Sequence, residues 1–332
     1  MKRINPAPTM KDVAREAGVS LGTVSKVING IPVGESYRRR VEEAERKLGY
    51  VLNNYARSLK TNRTDCVALL LPSLRHPFFA ALADEVTACL SARGLRCLLM
   101  ITNYDPEAEL ASFRLVRQNK VDGVLALTYS PNLDVDDTLP IVTIDRHFAP
   151  TVPCVSSDNF NGGQLAAEAL LRCGCKRPLA LQVVAEVPGE PHKRAAGFES
   201  ACRRLGAEYG ILARPDTEGE EPFFRFLAEH VNPGALEYDG VFCSSDRLAV
   251  SVMEFLRARG VRVPEDVQIV GYDALPDHYT GRRLVSSIAQ PIPRMAETAV
   301  TILMDAERRS SGENIYLQAE YIPGPTTREK IP

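Results

Sequence analysis

The sequence predicts a small all-α helix-turn-helix head joined to a larger α/β core of two parallel-sheet subdomains. Residues 9–48 carry the caps and apolar spacing of short helices, whereas from residue 66 short apolar runs alternate with amphipathic helices. The charge also changes sign, because residues 1–64 hold 13 Lys and Arg against 6 Asp and Glu, while the remaining 268 hold 27 against 36. At roughly 150 residues per domain, 332 residues predict two to three domains.

Three helices are predicted in the head. Thr9 opens the first with a capping-box-like pattern, and Gly18 ends it. Ser20 can cap the second helix, residues 21–29, and the third follows over residues 35–48 with its basic side chains outside. Two short helices joined by a glycine-containing turn are typical of the helix-turn-helix motif, whose second helix fits a DNA major groove about 12 Å wide.

The positive charge of this head favours a polyanionic partner, because Lys and Arg gain free energy by releasing counterions from phosphates. Charge alone leaves a membrane surface as a rival to nucleic acid, and a solvated helical bundle with one basic face is a further alternative. The two capped helices with their glycine turn favour double-stranded DNA.

The core shows parallel βαβ units in two series. The elements of the first series are predicted over residues 66–71, 77–93, 96–101, 106–118 and 123–127, and those of the second over residues 161–173, 178–184, 193–205, 240–243, 246–259 and 268–270. Residues 158–163 and 288–293 are the predicted crossings between the two halves. Ligands of open α/β sheets bind beyond the carboxyl ends of the strands, so two facing halves predict a ligand cleft between them.

The N-terminal motif carries a family resemblance. The run MKDVAREAGVSLGTVSKVING, residues 10–30, resembles the DNA-binding head of the LacI/GalR family of bacterial transcription regulators. The order of the family's motifs continues through HPFF at 76–79, RAAGF at 194–198 and VGYD at 270–273. The resemblance covers residues 9–321 and implies a core similar to periplasmic sugar-binding proteins.

The resemblance implies which residues contact operator DNA. Leu21, Gly22 and Lys26 would meet base edges, although Gly22 has no side chain and leaves that contact to Leu21. A hinge helix and linker would follow over residues 52–64, with Leu59 as an apolar wedge in the minor groove or, alternatively, as a core residue. The remaining implied contacts, to phosphates and through the hinge, are Thr9, Ser20, Thr23, Ser25, Asn29, Asn53 and Ala56.

Several positions of the head depart from the family's pattern. Leu52 stands where proline is usual, Gly34 where a capping serine is common, and Tyr37 where threonine is common. Each change weakens a cap or a phosphate anchor by on the order of 1 kcal/mol. We therefore expect a hinge less stable than is usual in the family.

The resemblance also implies that Phe79, Arg194 and Asp273 contact an effector in the cleft. Phe79 offers a face for stacking, Arg194 a forked donor and Asp273 an acceptor for hydroxyl groups. The alternative is that Phe79 belongs to the core and that Arg194 and Asp273 form a structural ion pair. Phe223 and Phe224 are equally compatible with two roles, an aromatic lid over the cleft and packing in the core. Further candidates are two residues that replace family asparagines and one at a helix start, namely His76, Ser245 and Asn161.

A domain organisation and a function follow from the resemblance. The helix-turn-helix domain would span residues 1–51, the first core subdomain residues 65–158 and 291–321, and the second residues 159–290 and 322–332. The chain would act as a homodimeric transcription regulator, a repressor, whose affinity for double-stranded operator DNA depends on a small carbohydrate effector. A periplasmic-type sugar receptor without DNA function is the alternative. The residues leave open whether the effector induces or co-represses.

Other function classes find little support in the sequence. The near-apolar stretches are far below the roughly 20 residues that span a bilayer, and residues 1–8 lack the apolar segment of a secretory signal, so we expect a cytoplasmic protein. The eight cysteines lack C-x-x-C ligand spacing, which predicts reduced thiols and no metal site. Phosphate-loop, H-E-x-x-H and G-x-S-x-G motifs are missing, so we expect neither an enzyme nor a cofactor.

Overall fold

The chain divides into two compact units, residues 1–64 and 65–332. A computed structural model describes residues 8–50, 64–128, 139–147, 149–233, 235–277 and 279–328. The first unit is all-α and the second is α/β, so the predicted fold class is confirmed. Within the described ranges, no helix is both long enough and apolar enough to cross a membrane.

The first unit is a bundle of three helices, α1 (Met10–Ala17), α2 (Leu21–Ile28) and α3 (Glu35–Leu48). Thr9 and Asp12 form the predicted capping box of α1, and Ser20 caps α2 by accepting the N–H group of Thr23. Gly34 leaves α3 without a side-chain cap, as the departure from the family's pattern predicted. The apolar faces of the helices enclose a small core of Val13, Ala14, Ala17, Val24, Val41 and Ala44.

The second unit consists of two lobes, each built on a six-stranded sheet. The strands of the first sheet are β1 (Cys66–Leu71), β2 (Arg96–Ile101), β3 (Gly123–Ala126), β4 (Ile141–Ile144), β5 (Cys154–Ser157) and β13 (Asn314–Leu317). They are all parallel, in the order β13-β5-β4-β3-β1-β2. Two helices, α4 (Pro77–Ser91) and α10 (Ile292–Met304), cover one face, and α5 (Pro106–Gln118) covers the other. A short helix, α11 (Ala306–Ser310), follows α10.

The strands of the second sheet are β6 (Pro178–Val184), β7 (Gly210–Pro215), β10 (Gly240–Cys243), β11 (Gln268–Asp273), β12 (Ser286–Ala289) and β14 (Glu320–Ile322). Their order is β14-β12-β11-β10-β6-β7, and β14 runs antiparallel to β12. One face carries α6 (Asn159–Arg172) and α7 (Lys193–Arg204), and the other carries α8 (Glu221–His230) and α9 (Asp246–Ala258). A small hairpin of β8 (Val231–Asn232) and β9 (Ala235–Leu236) follows α8.

Helices α6 and α7 approach each other closely at two glycines. A Cβ atom at Gly163 would lie 2.0 Å from the carbonyl oxygen of Arg194, and one at Gly197 would lie 1.9 Å from that of Phe160. Real Cβ atoms do not come this close to another heavy atom, so only glycine permits the approach. The first turn of α7, which carries Arg194, is therefore held directly against α6.

The chain passes between the two lobes three times. It leaves the first sheet after β5, returns after β12 to form α10, and crosses again between β13 and β14. The sequence placed the last crossing after residue 321, but Tyr321 already pairs with Ile288 of the second sheet. That boundary was predicted too late, because the three residues of β14 complete the second sheet rather than the first.

Candidate nucleic-acid interface and ligand cleft

Helix α2 turns its polar side to solvent. Leu21, Gly22, Lys26 and Asn29 are exposed, while Val24 is fully buried. The Leu21 side chain is 45% exposed and lies in the first turn of the helix. It offers an apolar surface of the kind that contacts thymine methyl groups in a major groove.

Local hydrogen bonds fix the ends of the helices that carry the other predicted contacts. The Thr9 hydroxyl donates to Asp12 over 2.7 Å, and the hydroxyl groups of Ser20 and Thr23 lie 2.9 Å apart. At the end of α2, the Asn29 amide donates to the carbonyl oxygen of Ser25 over 2.7 Å. Because the N–H groups at a helix N-terminus attract anions, the fixed starts of α1 and α2 suit contact with phosphates.

Part of the basic surface predicted on α3 is used inside the head. The Arg40 guanidinium donates to the carbonyl oxygen of Gly18 over 2.7 Å, which ties α3 to the turn before α2. Lys47 pairs with Glu16 of α1. These two cations hold the bundle together, so they contribute less to a free cationic surface than the sequence suggested.

Gly22 is expected to weaken α2, since glycine disfavours a helix by about 1 kcal/mol relative to alanine. A Cβ atom at this position would meet only the Ser20 hydroxyl, at an ordinary 3.6 Å. Gly22→Ala should therefore slow hydrogen exchange of the α2 amides in the full chain about fivefold. Gly18→Ala is the opposite control, because Gly18 has φ +59° and a Cβ there would strike Arg40. Faster exchange in Gly22→Ala would contradict the expectation.

The predicted hinge contacts Asn53, Ala56 and Leu59 lie outside the described residues. The remaining predicted DNA contacts all belong to the head, in or next to α1 and α2.

A cavity of about 230 Å³ lies between the two lobes of the second unit. Its wall contains five of the six predicted effector contacts, His76, Phe79, Arg194, Ser245 and Asp273. The other residues of the wall are Phe78, Tyr104, Leu127, Thr128, Asp145, Arg146, Gln182, Val183, Ala185, Val187, Gly189, Pro191, His192, Asp216, Ser244, Arg247 and Gln290. Most of them follow the carboxyl end of a strand, where the predicted cleft was expected.

Asn161 does not belong to this wall. Helix α6 begins at Asn159, two residues before the predicted start, because Asp158 caps it and accepts the N–H group of Asn161 over 2.9 Å. Successive helical residues are about 100° apart, so Asn159 and Asn161 lie on different faces. Asn159 is the one that reaches the cleft residues.

Arg194 is buried, with only 7% of its surface exposed, and three groups hold its side chain in place. Its Nε atom donates to the Asn159 side-chain oxygen over 2.7 Å, and Nη1 donates to the carbonyl oxygen of Ser244 over 2.6 Å. The guanidinium carbon lies 3.6 Å from the centroid of the Tyr272 ring. Such a cation–π contact in a dry site adds to the attraction of the hydrogen bonds. An ion pair with Asp273, the alternative raised by the sequence, is not among the contacts of Arg194 within the described residues.

Asp273 belongs to the same cavity wall and has an unusual backbone, at φ +116°. Its side chain accepts a hydrogen bond from Gln290 over 2.7 Å. Burial raises the pKa of Asp273, while His76 and Arg194 act in the opposite direction. A strained, buried carboxyl group that faces a cavity is typical of a binding site.

His76 caps α4 and also borders the cavity. Its Nδ1 atom accepts the N–H group of Phe78 over 3.3 Å, so the neutral ring carries its proton on Nε2. Burial lowers the pKa of His76 and so favours the neutral form, although the nearby Asp273 raises this pKa. The His76 and Phe79 ring centroids are 5.3 Å apart, and together they give this side of the cavity an aromatic surface.

Phe79 belongs to both the core and the cavity wall, so the two alternatives from the sequence are not exclusive. Ser245 caps α9 by accepting the N–H group of Leu248. Phe223 is fully buried in the core of the second lobe, and Phe224 stacks on Phe255 with ring centroids 4.8 Å apart. Neither of these phenylalanines lines the cavity.

Sequence reasoning missed much of the polar wall. Gln182 interrupts the apolar strand β6, and this lone polar residue was the available signal. Asn159 positions Arg194, and its own amide donates to the carbonyl oxygen of Ser157 over 2.9 Å. Asp145 and Gln290 follow or end strands that carried no motif. Their placement depends on how the lobes face each other, which no local pattern specifies.

The two lobes also meet beside the cavity at Glu190, which is 2% exposed. Its Oε1 atom lies 2.6 Å from His147 Nε2 of the first lobe and accepts from Lys193 over 2.8 Å. The Glu190 N–H group donates to the carbonyl oxygen of Asp145 over 2.9 Å. The turn before α7 is therefore fastened to the first lobe by both side-chain and backbone bonds.

Asp145 should make the stability of the core depend on pH. Burial raises the pKa of Asp145 to about 6, although a hydrogen bond from Ser156 opposes this. Below about pH 4 the carboxyl group is protonated whether the chain is folded or not, and above about pH 6 it is ionised in both states. Its contribution to stability therefore falls as the pH rises between these values, by about 3 kcal/mol.

Asp145→Asn removes this titration while keeping an acceptor for Ser156. Between about pH 4 and pH 7, the free energy of unfolding of the natural chain should fall by about 3 kcal/mol more than that of the variant. Urea unfolding at both pH values measures the difference. Identical pH dependence in the two proteins would show that the Asp145 pKa is ordinary.

Comparisons with known proteins agree with this architecture. A model described as bacterial regulatory proteins of the lacI family matches residues 9–53, and one described as periplasmic binding proteins and the sugar binding domain of the LacI family matches residues 64–321. The ribose operon repressor of Bacillus subtilis (strain 168) is 31% identical over 327 residues, which cover 97% of this chain and 99% of that protein.

Two solved structures extend the comparison. The transcriptional regulator CelR in complex with cellobiose is 27% identical with a TM-score of 0.65, and a lac repressor dimer bound to operator and the anti-inducer ONPF is 20% identical with a TM-score of 0.78. Each match covers 96% of this chain and 99% of the other. The second supports the fold alone.

A helix-turn-helix head followed by a two-lobed ligand-binding core defines a DNA-binding transcription regulator. The chain belongs to the LacI family of bacterial regulatory proteins. The members of that family are regulators rather than enzymes.

Proposed function

We propose that the chain is a repressor that binds a near-palindromic, double-stranded operator as a homodimer, and that a carbohydrate in the cleft controls this binding. The observation that carries the proposal is the exposed, capped helix α2 on the same chain as a cavity walled by buried polar side chains. A single recognition helix contacts one half-site, so a symmetric pair of heads fits a palindrome. The matches to a ribose operon repressor and to a regulator in complex with cellobiose support a sugar as the effector.

In this proposal, residues 1–51 form the DNA-binding domain and residues 52–64 the hinge. Leu21, Gly22 and Lys26 meet base edges. The phosphate and hinge contacts are Thr9, Ser20, Thr23, Ser25, Asn29, Asn53, Ala56 and Leu59, with Leu59 as the minor-groove wedge.

The effector contacts His76, Phe79, Arg194, Ser245 and Asp273. His76 and Phe79 belong to the first lobe, and Arg194, Ser245 and Asp273 belong to the second. A ligand that contacts both lobes stabilises one relative arrangement of them, and any difference in hinge geometry between arrangements couples effector binding to DNA binding. By linkage, DNA must change effector affinity by the same factor.

In this proposal the regulator catalyses no reaction and needs no cofactor. It acts in the cytoplasm, because its partner is chromosomal DNA. A sugar receptor without DNA function, the alternative raised by the sequence, leaves the LacI-family head without a role.

Fluorescence anisotropy with DNA fragments from around the gene tests this proposal. One fragment should bind far more tightly than the others, with an affinity that falls at least about a hundredfold between 50 and 200 mM salt. Light scattering should give the mass of a dimer. Undetectable or salt-insensitive binding to every fragment would refute the proposal.

A further inference from the structure

Three buried oxygen atoms in the cavity wall have no donor among the described residues, namely Gln182 Oε1, Gln290 Oε1 and Thr128 Oγ1. The three residues are 3%, 7% and 2% exposed, respectively. A buried acceptor without a donor destabilises a protein by about 1–3 kcal/mol. Two of these atoms are amide oxygens, which can only accept, so they indicate a ligand that supplies hydrogen-bond donors.

The orientation of both amide groups is determined by their nitrogen atoms. Gln182 Nε2 donates to the carbonyl oxygen of Val183 over 2.6 Å, and Gln290 Nε2 donates to Asp273 Oδ1 over 2.7 Å. The Val183 carbonyl oxygen can only accept, so the Gln182 amide cannot be turned around, and the Gln290 amide is fixed in the same way when Asp273 is ionised. Each glutamine therefore leaves an oxygen atom in the wall that can only accept.

Each arginine of the wall already bonds within the protein. Arg194 donates to Asn159 and Ser244, and Arg146 donates to the carbonyl oxygen of Thr128 over 2.8 Å. Arg247 pairs with Glu220 over 3.2 Å.

Charge and size narrow the ligand further. The wall holds three arginines and three aspartates, so formal charge does not select an anion. A phosphate or carboxylate would bring only acceptors to oxygen atoms that need donors. The cavity, at about 230 Å³, is also smaller than the roughly 300 Å³ at which pockets for drug-sized ligands begin. One sugar ring fits this volume better than two.

We propose that the effector is a single, uncharged monosaccharide ring whose hydroxyl groups donate to Gln182 and Gln290, and that Gln182 determines specificity by accepting one of them. This inference rests on the proposed function and narrows its effector class. Thr128 is on the first lobe and Gln182 on the second, so one ring can bridge the lobes through its hydroxyl groups.

Calorimetry on the full chain tests the ligand class. The probes are D-ribose, D-xylose, D-glucose, D-galactose and D-fructose, together with ribose 5-phosphate, glucose 6-phosphate, fructose 6-phosphate, sucrose and cellobiose. A neutral monosaccharide should bind at least about tenfold more tightly than its phosphate ester and than both disaccharides. A phosphate ester or disaccharide that binds as tightly as any monosaccharide would overturn this inference but not the proposed repressor. No binding by any probe, with operator binding intact, would reject a carbohydrate effector altogether.

Gln182→Met tests the specificity residue, because methionine keeps the length of the side chain and removes the acceptor. Affinity for the best monosaccharide should fall at least about tenfold. Gln268→Met is the matched control, since Gln268 is also buried in the second lobe but bonds to Cys173 and Arg328 away from the cavity. It should leave the sugar affinity unchanged.

Deoxy analogues of the best monosaccharide give a second measurement that needs no variant to fold. The analogue that lacks the hydroxyl group bound by Gln182 should bind the natural chain at least about tenfold more weakly than the parent sugar does. It should bind Gln182→Met about as well as the parent sugar does, because that variant has already lost the same hydrogen bond. Equal affinity of the natural chain for all analogues, or of Gln182→Met for the parent sugar, would overturn the role of Gln182.

Discussion

Arg194→Met is expected to lower the free energy of unfolding of the core by about 3–5 kcal/mol and to weaken effector binding more than a hundredfold. The guanidinium group satisfies the buried Asn159 side-chain oxygen and the carbonyl oxygen of Ser244. It also lowers the pKa values of the buried carboxyl groups of Asp145 and Asp273. Removing it leaves all of these groups uncompensated in a dry environment, where the penalty is large.

Urea unfolding followed by circular dichroism measures the first effect, and calorimetry with the best monosaccharide measures the second. Arg204→Met is the matched control, because Arg204 lies on the same helix and pairs with Glu168 at the surface. A surface pair of this kind contributes at most about 1 kcal/mol. Equal losses of stability in the two variants would show that Arg194 is not the central cation of the cleft.

Gly197→Ala is expected to destabilise the second lobe by about 3 kcal/mol, although helix propensity alone predicts a gain of about 1 kcal/mol. The added Cβ atom would lie 1.9 Å from the Phe160 carbonyl oxygen, a backbone atom that no rotamer change can remove. Helices α6 and α7 must therefore separate, and Arg194 moves with α7. Effector affinity should fall at least about tenfold together with the stability.

The sign of the effect makes this test decisive. The same substitution at Gly22 meets no close neighbour and should stabilise its helix. Thermal unfolding of Gly197→Ala and natural chains, with and without the monosaccharide, measures stability and binding together. An increase in melting temperature for Gly197→Ala would mean that α6 and α7 are not packed through this glycine.

Much of the fold was predictable because local patterns specify it. The strands Cys66–Leu71 and Pro178–Val184 and the helices Glu35–Leu48 and Pro106–Gln118 have the predicted bounds. Their ends coincide with turns, caps or abrupt changes of polarity. Strand β14 escaped prediction, because its three residues have no periodicity of their own and pair antiparallel with β12 through tertiary contact alone.

The cleft was predictable only in part. Arg194 and Asp273 stand in motifs of a familiar family, so the sequence indicated them before any geometry was known. Gln182 and Gln290 matter because of what their nitrogen atoms bond to, and that depends on neighbours up to 17 residues away. Asn159 rather than Asn161 bonds to Arg194, because the cap at Asp158 starts α6 two residues earlier than the sequence predicted.

The placement of the last strands has a consequence for how the protein is made. Helix α10 fills the interior of the first lobe, and β13 and β14 supply one edge strand to each sheet. The first lobe cannot be completed until residue 317 has emerged from the ribosome, nor the second until residue 322 has, whereas the three-helix bundle needs only the first fifty residues. Translation that stops short of α10 should therefore yield chains with a finished head and two unfinished lobes, exposed to proteases and chaperones.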